Sequence, residues 1–101
     1  MTLTKVIRYT TTPDSAEENA RLVGDVYSEL ARERPQGLRY ATFRLDDGVS
    51  FVHLAVLDAG VNPLATSAAF AAFQSDIAAR LVAGPVQADA TVVGSYRMLD
   101  G

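Results

Sequence analysis

The chain holds a single histidine and no cysteine. His53 is therefore the one side chain whose ordinary pKa, about 6.5, lets it take and return a proton near neutral pH. The alternative is a core imidazole satisfied by a hydroxyl or a backbone carbonyl. A zinc site would need Asp or Glu for its remaining ligands, and no HxxxH or HxH pair occurs, so no metal is expected. Tyr9, Tyr27 and Tyr40 each offer a flat apolar body and a hydroxyl, the combination that holds a ring-shaped ligand. Phe70 and Phe73 could close such a site, although their spacing is also that of ordinary helix packing. Arg8 is a guanidinium in the middle of a strand. Its planar fork matches a carboxylate on a substrate, and it equally suits an ion pair, with Asp89 or a helix acid as partner.

These side chains need elements to carry them. Leu3 to Thr11 alternates as a strand, with Lys5, Ile7 and Tyr9 on one face and Val6 and Arg8 on the other. Asp14 and Glu17 have the spacing of a capping box, and a helix follows to about Arg34. Its apolar stripe is Ala16, Ala20, Val23, Val26, Tyr27, Leu30 and Ala31. On its other face Glu17/Arg21 and Arg21/Asp25 stand four apart and read as surface pairs. Leu38 to Leu45 and Val49 to Leu57 are strands joined by Asp46-Asp47-Gly48, a hairpin signal that accounts for the adjacent carboxylates. Asn62 before Pro63 can cap a short turn, and Ser67 a longer helix ending at Gly84-Pro85. The last strand is expected between about Ala90 and Leu99.

The order β-α-β-β-α-β predicts one α+β domain over 1–101. It is a ferredoxin-like, four-stranded antiparallel sheet with both helices on one face. In the third strand Val49, Phe51, Ala55 and Leu57 point one way while Val52, Leu54 and Val56 point the other, so both faces are apolar. A sheet with one face in water should be polar there. Covering three such side chains contributes about 5–9 kcal/mol before association costs. A homodimer formed sheet against sheet is the economical cover.

Composition removes other classes. Nearly half of the 101 residues are hydrophobic, which suits a packed core. The net charge is −3 and the nine cations are scattered, so no basic stripe invites nucleic acid. No run approaches a membrane span, and Met1-Thr2-Leu3-Thr4-Lys5 does not read as a signal peptide, so a cytoplasmic location is the default expectation. No GxGxxG, Walker loop or Gly-x-Ser-x-Gly occurs.

Val6-Ile7-Arg8-Tyr9-Thr10, Ser50-Phe51-Val52-His53-Leu54, Asn62-Pro63-Leu64 before Phe70-Ala71-Ala72-Phe73, and Val92-Val93-Gly94-Ser95-Tyr96 carry a resemblance over nearly the whole chain. It resembles the antibiotic biosynthesis monooxygenase-like proteins of the dimeric α/β-barrel superfamily. The resemblance implies a pocket between sheet and helices in each protomer, with His53 directed into it and the tyrosines lining it. It implies cofactor-independent oxygenation of an aromatic or polyketide-like molecule, with His53 as base, or a non-catalytic small-molecule-binding or structural dimer. Better-known active relatives use an Asn on the first strand and a Trp near the end of the third. Here those places offer Ile7, Arg8 and Ala55-Val56-Leu57, and the chain has no Trp. Haem degradation of the family's type is disfavoured on that ground.

Overall fold

The computed structural model describes residues 2–98. Strand β1 (Thr2–Thr11) leads into helix α1 (Ala16–Glu33). Strands β2 (Leu38–Arg44) and β3 (Ser50–Asp58) form the hairpin. Helices α2 (Ala68–Ser75) and α3 (Ile77–Arg80) precede strand β4 (Leu81–Ala90). The sheet is antiparallel throughout, in the order β2-β3-β1-β4, with the helices packed on one face. This is an α+β ferredoxin-like fold, as the element order predicts.

The hairpin turn is built by Asp47, whose carboxylate accepts from the Val49 and Ser50 amides and from the Ser50 hydroxyl. Those three bonds hold its pKa below the ordinary carboxylate value. Ser67 caps α2 by accepting from the Phe70 amide. It donates in turn to Glu29, which also accepts from the Ala69 amide and so fastens α1 to the start of α2.

Several sequence expectations need correction. The capping box at Asp14 does not form. Thr12 caps a 3-10 turn, Pro13–Ser15, and α1 starts at Ala16 without a side-chain cap. Asn62 makes no cap bond either. Glu17 pairs with Arg44 of β2, while Arg21 pairs with Glu18 and Asp25. Helix α1 does end where expected: Glu33 is its last residue, and Arg34 caps it in the left-handed conformation with its amide bonded to the Leu30 carbonyl.

The largest correction is the last strand. The helical stretch stops at Arg80, β4 begins at Leu81, and residues 91–98 form neither strand nor helix. Leu99, the expected end of that strand, lies outside the described residues. Gly84-Pro85 does not end a helix but sits inside β4, where the pairing with β1 shifts register between Arg8 and Thr10. Gly84 has φ +86°, and a Cβ there would stand 2.8 Å from the Arg8 carbonyl and 3.1 Å from Tyr9 Cα. Only glycine permits that approach. Proline is tolerated because β4 is an edge strand.

Register fixes what faces the helices. Ile7 lies opposite His53, Tyr9 opposite Phe51, Thr42 opposite His53, and Tyr40 opposite Ala55. The core here is Tyr9, Val23, Val26, Phe51, Leu64 and Phe73. On the other sheet face, Val6 pairs with Leu54 and Arg8 with Val52 and Val86.

Candidate functional site

Between the helix-facing side of the sheet and α2 lies a cavity of about 410 Å³. Its inner wall includes Tyr9, Tyr40, His53, Phe70 and Phe73, and Lys5, Asn62, Gln74 and Gln87 stand among its polar lining. The volume suits a small polycyclic molecule. Five of the seven site residues expected from the sequence thus meet at one place. Tyr27 does not reach the cavity. It stacks on Tyr40, with ring centroids 5.3 Å apart, and lines a separate groove beside Leu30 and Pro35. Arg8 points to the opposite sheet face and is exposed, so it does not contact anything bound in this cavity. The bulge at Gly84 leaves strand parity intact at Tyr9, and the simple alternation of β1 turns Tyr9 toward the cavity and Arg8 away from it.

His53 is 3% exposed and is held at both ring nitrogens. The Tyr9 hydroxyl lies 2.7 Å from Nε2, and the Tyr40 hydroxyl lies 2.6 Å from Nδ1. Thr42 Oγ1 is also 3.1 Å from Nδ1 and 2.8 Å from the Tyr27 hydroxyl. In β-sheet geometry these are the directly opposed and diagonal neighbours of His53, brought together by register alone. The rings pack as well as bond: Tyr9, Tyr40 and Phe73 all have centroids within 5.8 Å of the imidazole.

Behind Tyr9 the chain of bonds continues through two residues that were not singled out in the sequence. Asn19 of α1, fully buried, donates from Nδ2 to the Tyr9 oxygen at 2.9 Å. Arg80, 5% exposed, donates from Nε to Asn19 Oδ1 at 3.0 Å and from a terminal nitrogen to the Phe73 carbonyl at 2.7 Å. Its guanidinium also lies 5.3 Å over the Phe73 ring. No carboxylate salt-bridges Arg80 among the described residues. Both residues carried a signal. Asn19 sits three after Ala16 and four before Val23, and Arg80 three after Ile77 and seven after Phe73. Each is a polar side chain on a stripe that should be apolar.

Burial decides the charge states. With no opposite charge beside it, desolvation lowers the His53 pKa to about 4, so the imidazole is neutral at physiological pH. Burial pushes Tyr9 up to about 12, against the opposing pull of the Asn19 hydrogen bond and the Arg80 charge. Tyr40 and Tyr27 are raised by burial too. The site is therefore an uncharged relay of hydroxyls and one imidazole, able to donate, accept and pass a proton. No group of three metal-ligating side chains occurs among the described residues.

No known family model matches the sequence, and no curated protein matches it. Solved structures do match. The Mycobacterium tuberculosis protein Rv0793 superposes with a TM-score of 0.71 at 14% identity, covering 94% of this chain and 98% of that one. A Nitrosomonas europaea protein described as a candidate antibiotic biosynthesis monooxygenase gives 0.69 at 14%, covering 96% and 93%. SnoaB, a cofactor-independent oxygenase from Streptomyces nogalater, gives 0.66 at 21%, covering 95% and 97%. Over nearly its whole length, the chain has the fold of the antibiotic biosynthesis monooxygenase-like structures.

Proposed function

We propose that the protein is a cofactor-independent oxygenase of a planar aromatic or polyketide-like phenol. One observation carries this reading: a neutral imidazole, held at both nitrogens by tyrosine hydroxyls, lies in the wall of a cavity that Tyr9, Tyr40, Phe70 and Phe73 also line. The name of SnoaB supports it. Such a substrate supplies both electrons itself. Loss of its hydroxyl proton leaves an anion whose ring carbon adds molecular oxygen, giving a peroxide. Elimination of water across the C–H and O–O bonds of that carbon then leaves a carbonyl. One oxygen atom enters the product and the other departs as water.

In this reading His53 is the base. Because both of its nitrogens are occupied, the proton reaches the ring through a tyrosine hydroxyl. Tyr9 and Tyr40 position the substrate by their hydroxyls and Phe70 and Phe73 by their faces, while Tyr27 acts indirectly, by stacking on Tyr40 and by the bond of its hydroxyl to Thr42. Oxygen-electrode measurements across a panel of phenols and quinols test the reading. At least one substrate is expected to consume oxygen without added cofactor, and Tyr40→Phe lowers that rate by about 100-fold, the usual cost of losing one preorganised donor. No consumption with any of them, or an unchanged rate in Tyr40→Phe, contradicts it.

A second reading has its own support. Among the described residues no buried side-chain polar atom lacks a partner, and the chain has no Trp. A binder with this pocket would gain melting temperature from the same compounds without consuming oxygen.

The protein acts as a homodimer in either reading. The sheet face away from the helices presents Val6, Val52 and Leu54, flanked by Phe43 and Val86, which are 44% and 68% exposed. A patch of that kind is characteristic of an interface. Sedimentation of the wild type at micromolar concentration is expected to give twice the 10.8 kDa chain mass, and Leu54→Glu to give monomer. A wild-type monomer contradicts it.

A further inference from the structure

The buried chain of hydrogen bonds has a direction, and the direction follows from donor counting. A guanidinium only donates, so Arg80 Nε must meet the oxygen of the Asn19 amide. That fixes the amide: its Nδ2 faces Tyr9 and donates to the phenol oxygen. Tyr9 has one hydroxyl hydrogen, and its remaining hydrogen-bond partner is His53 Nε2, at 2.7 Å. Tyr9 therefore donates to Nε2, which must be the unprotonated nitrogen of a neutral ring. The ring proton sits on Nδ1, which donates to Tyr40 at 2.6 Å, with Thr42 at 3.1 Å as the more distant acceptor. Tyr40 accepts and keeps its own hydrogen.

We propose that Asn19, oriented by Arg80, is a positioning residue that makes this chain run one way, so that His53 carries its proton on Nδ1 and Tyr40 presents a hydroxyl donor to the ligand in the cavity. The inference rests on the oxygenase reading for its chemistry and goes beyond it by assigning the two tyrosines opposite roles. Tyr40 donates to an acceptor oxygen of the ligand, a carbonyl or the developing oxyanion, and its donor strength is raised by the bond it accepts from Nδ1–H. Tyr9 is the route for the proton. The substrate O–H bond breaks as a new Tyr9 O–H bond forms, the former Tyr9 proton passes to Nε2, and an imidazolium faces a substrate anion. The ligand class follows: a planar molecule that offers an acceptor oxygen at Tyr40.

The lone histidine makes the test unambiguous. Long-range proton–nitrogen NMR of the full-length wild type at pH 7 reads the tautomer of one ring without assignment. The expected spectrum shows protonated Nδ1 and unprotonated Nε2; the opposite tautomer overturns the inference. Asn19→Asp keeps the shape but offers only acceptors, pairing with Arg80 and taking the Tyr9 hydrogen. The phenol oxygen then accepts from the ring, and the tautomer inverts to Nε2–H. Should that variant fail to fold, Arg80→Met frees the Asn19 amide to turn, and an Nε2–H population appears. A folded variant of either kind with the wild-type tautomer overturns the role of Asn19. Absence of oxygen consumption with the wild-type tautomer as expected would fail the oxygenase reading alone. Oxygen consumption with the opposite tautomer would fail this inference alone.

Discussion

Acidification from pH 7 to pH 4 is expected to remove about 3 kcal/mol of folding stability through a single side chain. The His53 pKa is lowered to about 4 by burial, against about 6.5 in the unfolded chain. Between those values the unfolded state binds more protons than the folded one. Stability from this group is fully present above about pH 6.5 and falls as pH drops to about 4. At about 4–8 °C per kcal/mol for a domain of this size, melting temperature falls by roughly 12–24 °C across the window. His53→Gln has nothing to titrate there, so its melting temperature should be nearly flat over the same range. Glu29 and Asp47, whose carboxylates are held low by hydrogen bonds from Ser67 and Ser50, add their loss only at the acid end of the window and below it. At the alkaline extreme, Tyr9 at about 12 takes stability away as pH rises past about 10. Circular dichroism melts at half-unit pH steps decide the matter. Parallel curves for wild type and His53→Gln would contradict the burial argument.

Phe73→Ala is expected to cost about 3–5 kcal/mol, the range for removing a buried aromatic ring. Phe73 is 3% exposed and packs on the site from α2. Its ring packs on Tyr9, His53 and Phe70 and lies beneath the Arg80 guanidinium. Deleting it joins new space to an existing cavity of about 410 Å³. The site then has little to collapse onto, which places the loss toward the upper end. That is a large share of the roughly 5–15 kcal/mol by which small domains are stable. Phe73→Leu keeps part of the volume and should cost less. Urea midpoints at pH 7 measure both. A loss under about 1 kcal/mol for the alanine variant would mean that α2 does not pack on the imidazole as described.

What the sequence made legible follows the strength of its local rules. Asp46-Asp47-Gly48 names its hairpin because the turn needs a carboxylate acceptor and a glycine at positive φ, and Asp47 and Gly48 supply them. Alternation along β1 set Tyr9 apart from Arg8, but the sharing of one face by Tyr9, Tyr40 and His53 needed the register between strands. Arg8 fell on the other face by the same rule. Gly84-Pro85 misled because the pair is also a helix terminator, and only the approach of the Tyr9 backbone to Gly84 shows why a strand needs it. The capping box at Asp14 lost to Thr12, which sits where the chain leaves β1 and can accept from the Ser15 amide. Asn19 and Arg80 were hidden in helical stripes whose apolar members drew the reading. A polar residue at such a position becomes informative once its partner, on another element, is known.

In the proposed function a small aromatic molecule binds in the cavity at His53. The ring resonances of the sole histidine, followed while naphthols and anthracene-type phenols are added at pH 7, test it most directly. A binding compound is expected to shift both His53 ring nitrogens and to raise the melting temperature of the wild type. If compounds that raise the melting temperature leave those resonances unmoved, the ligand sits elsewhere and the account of this cavity is wrong.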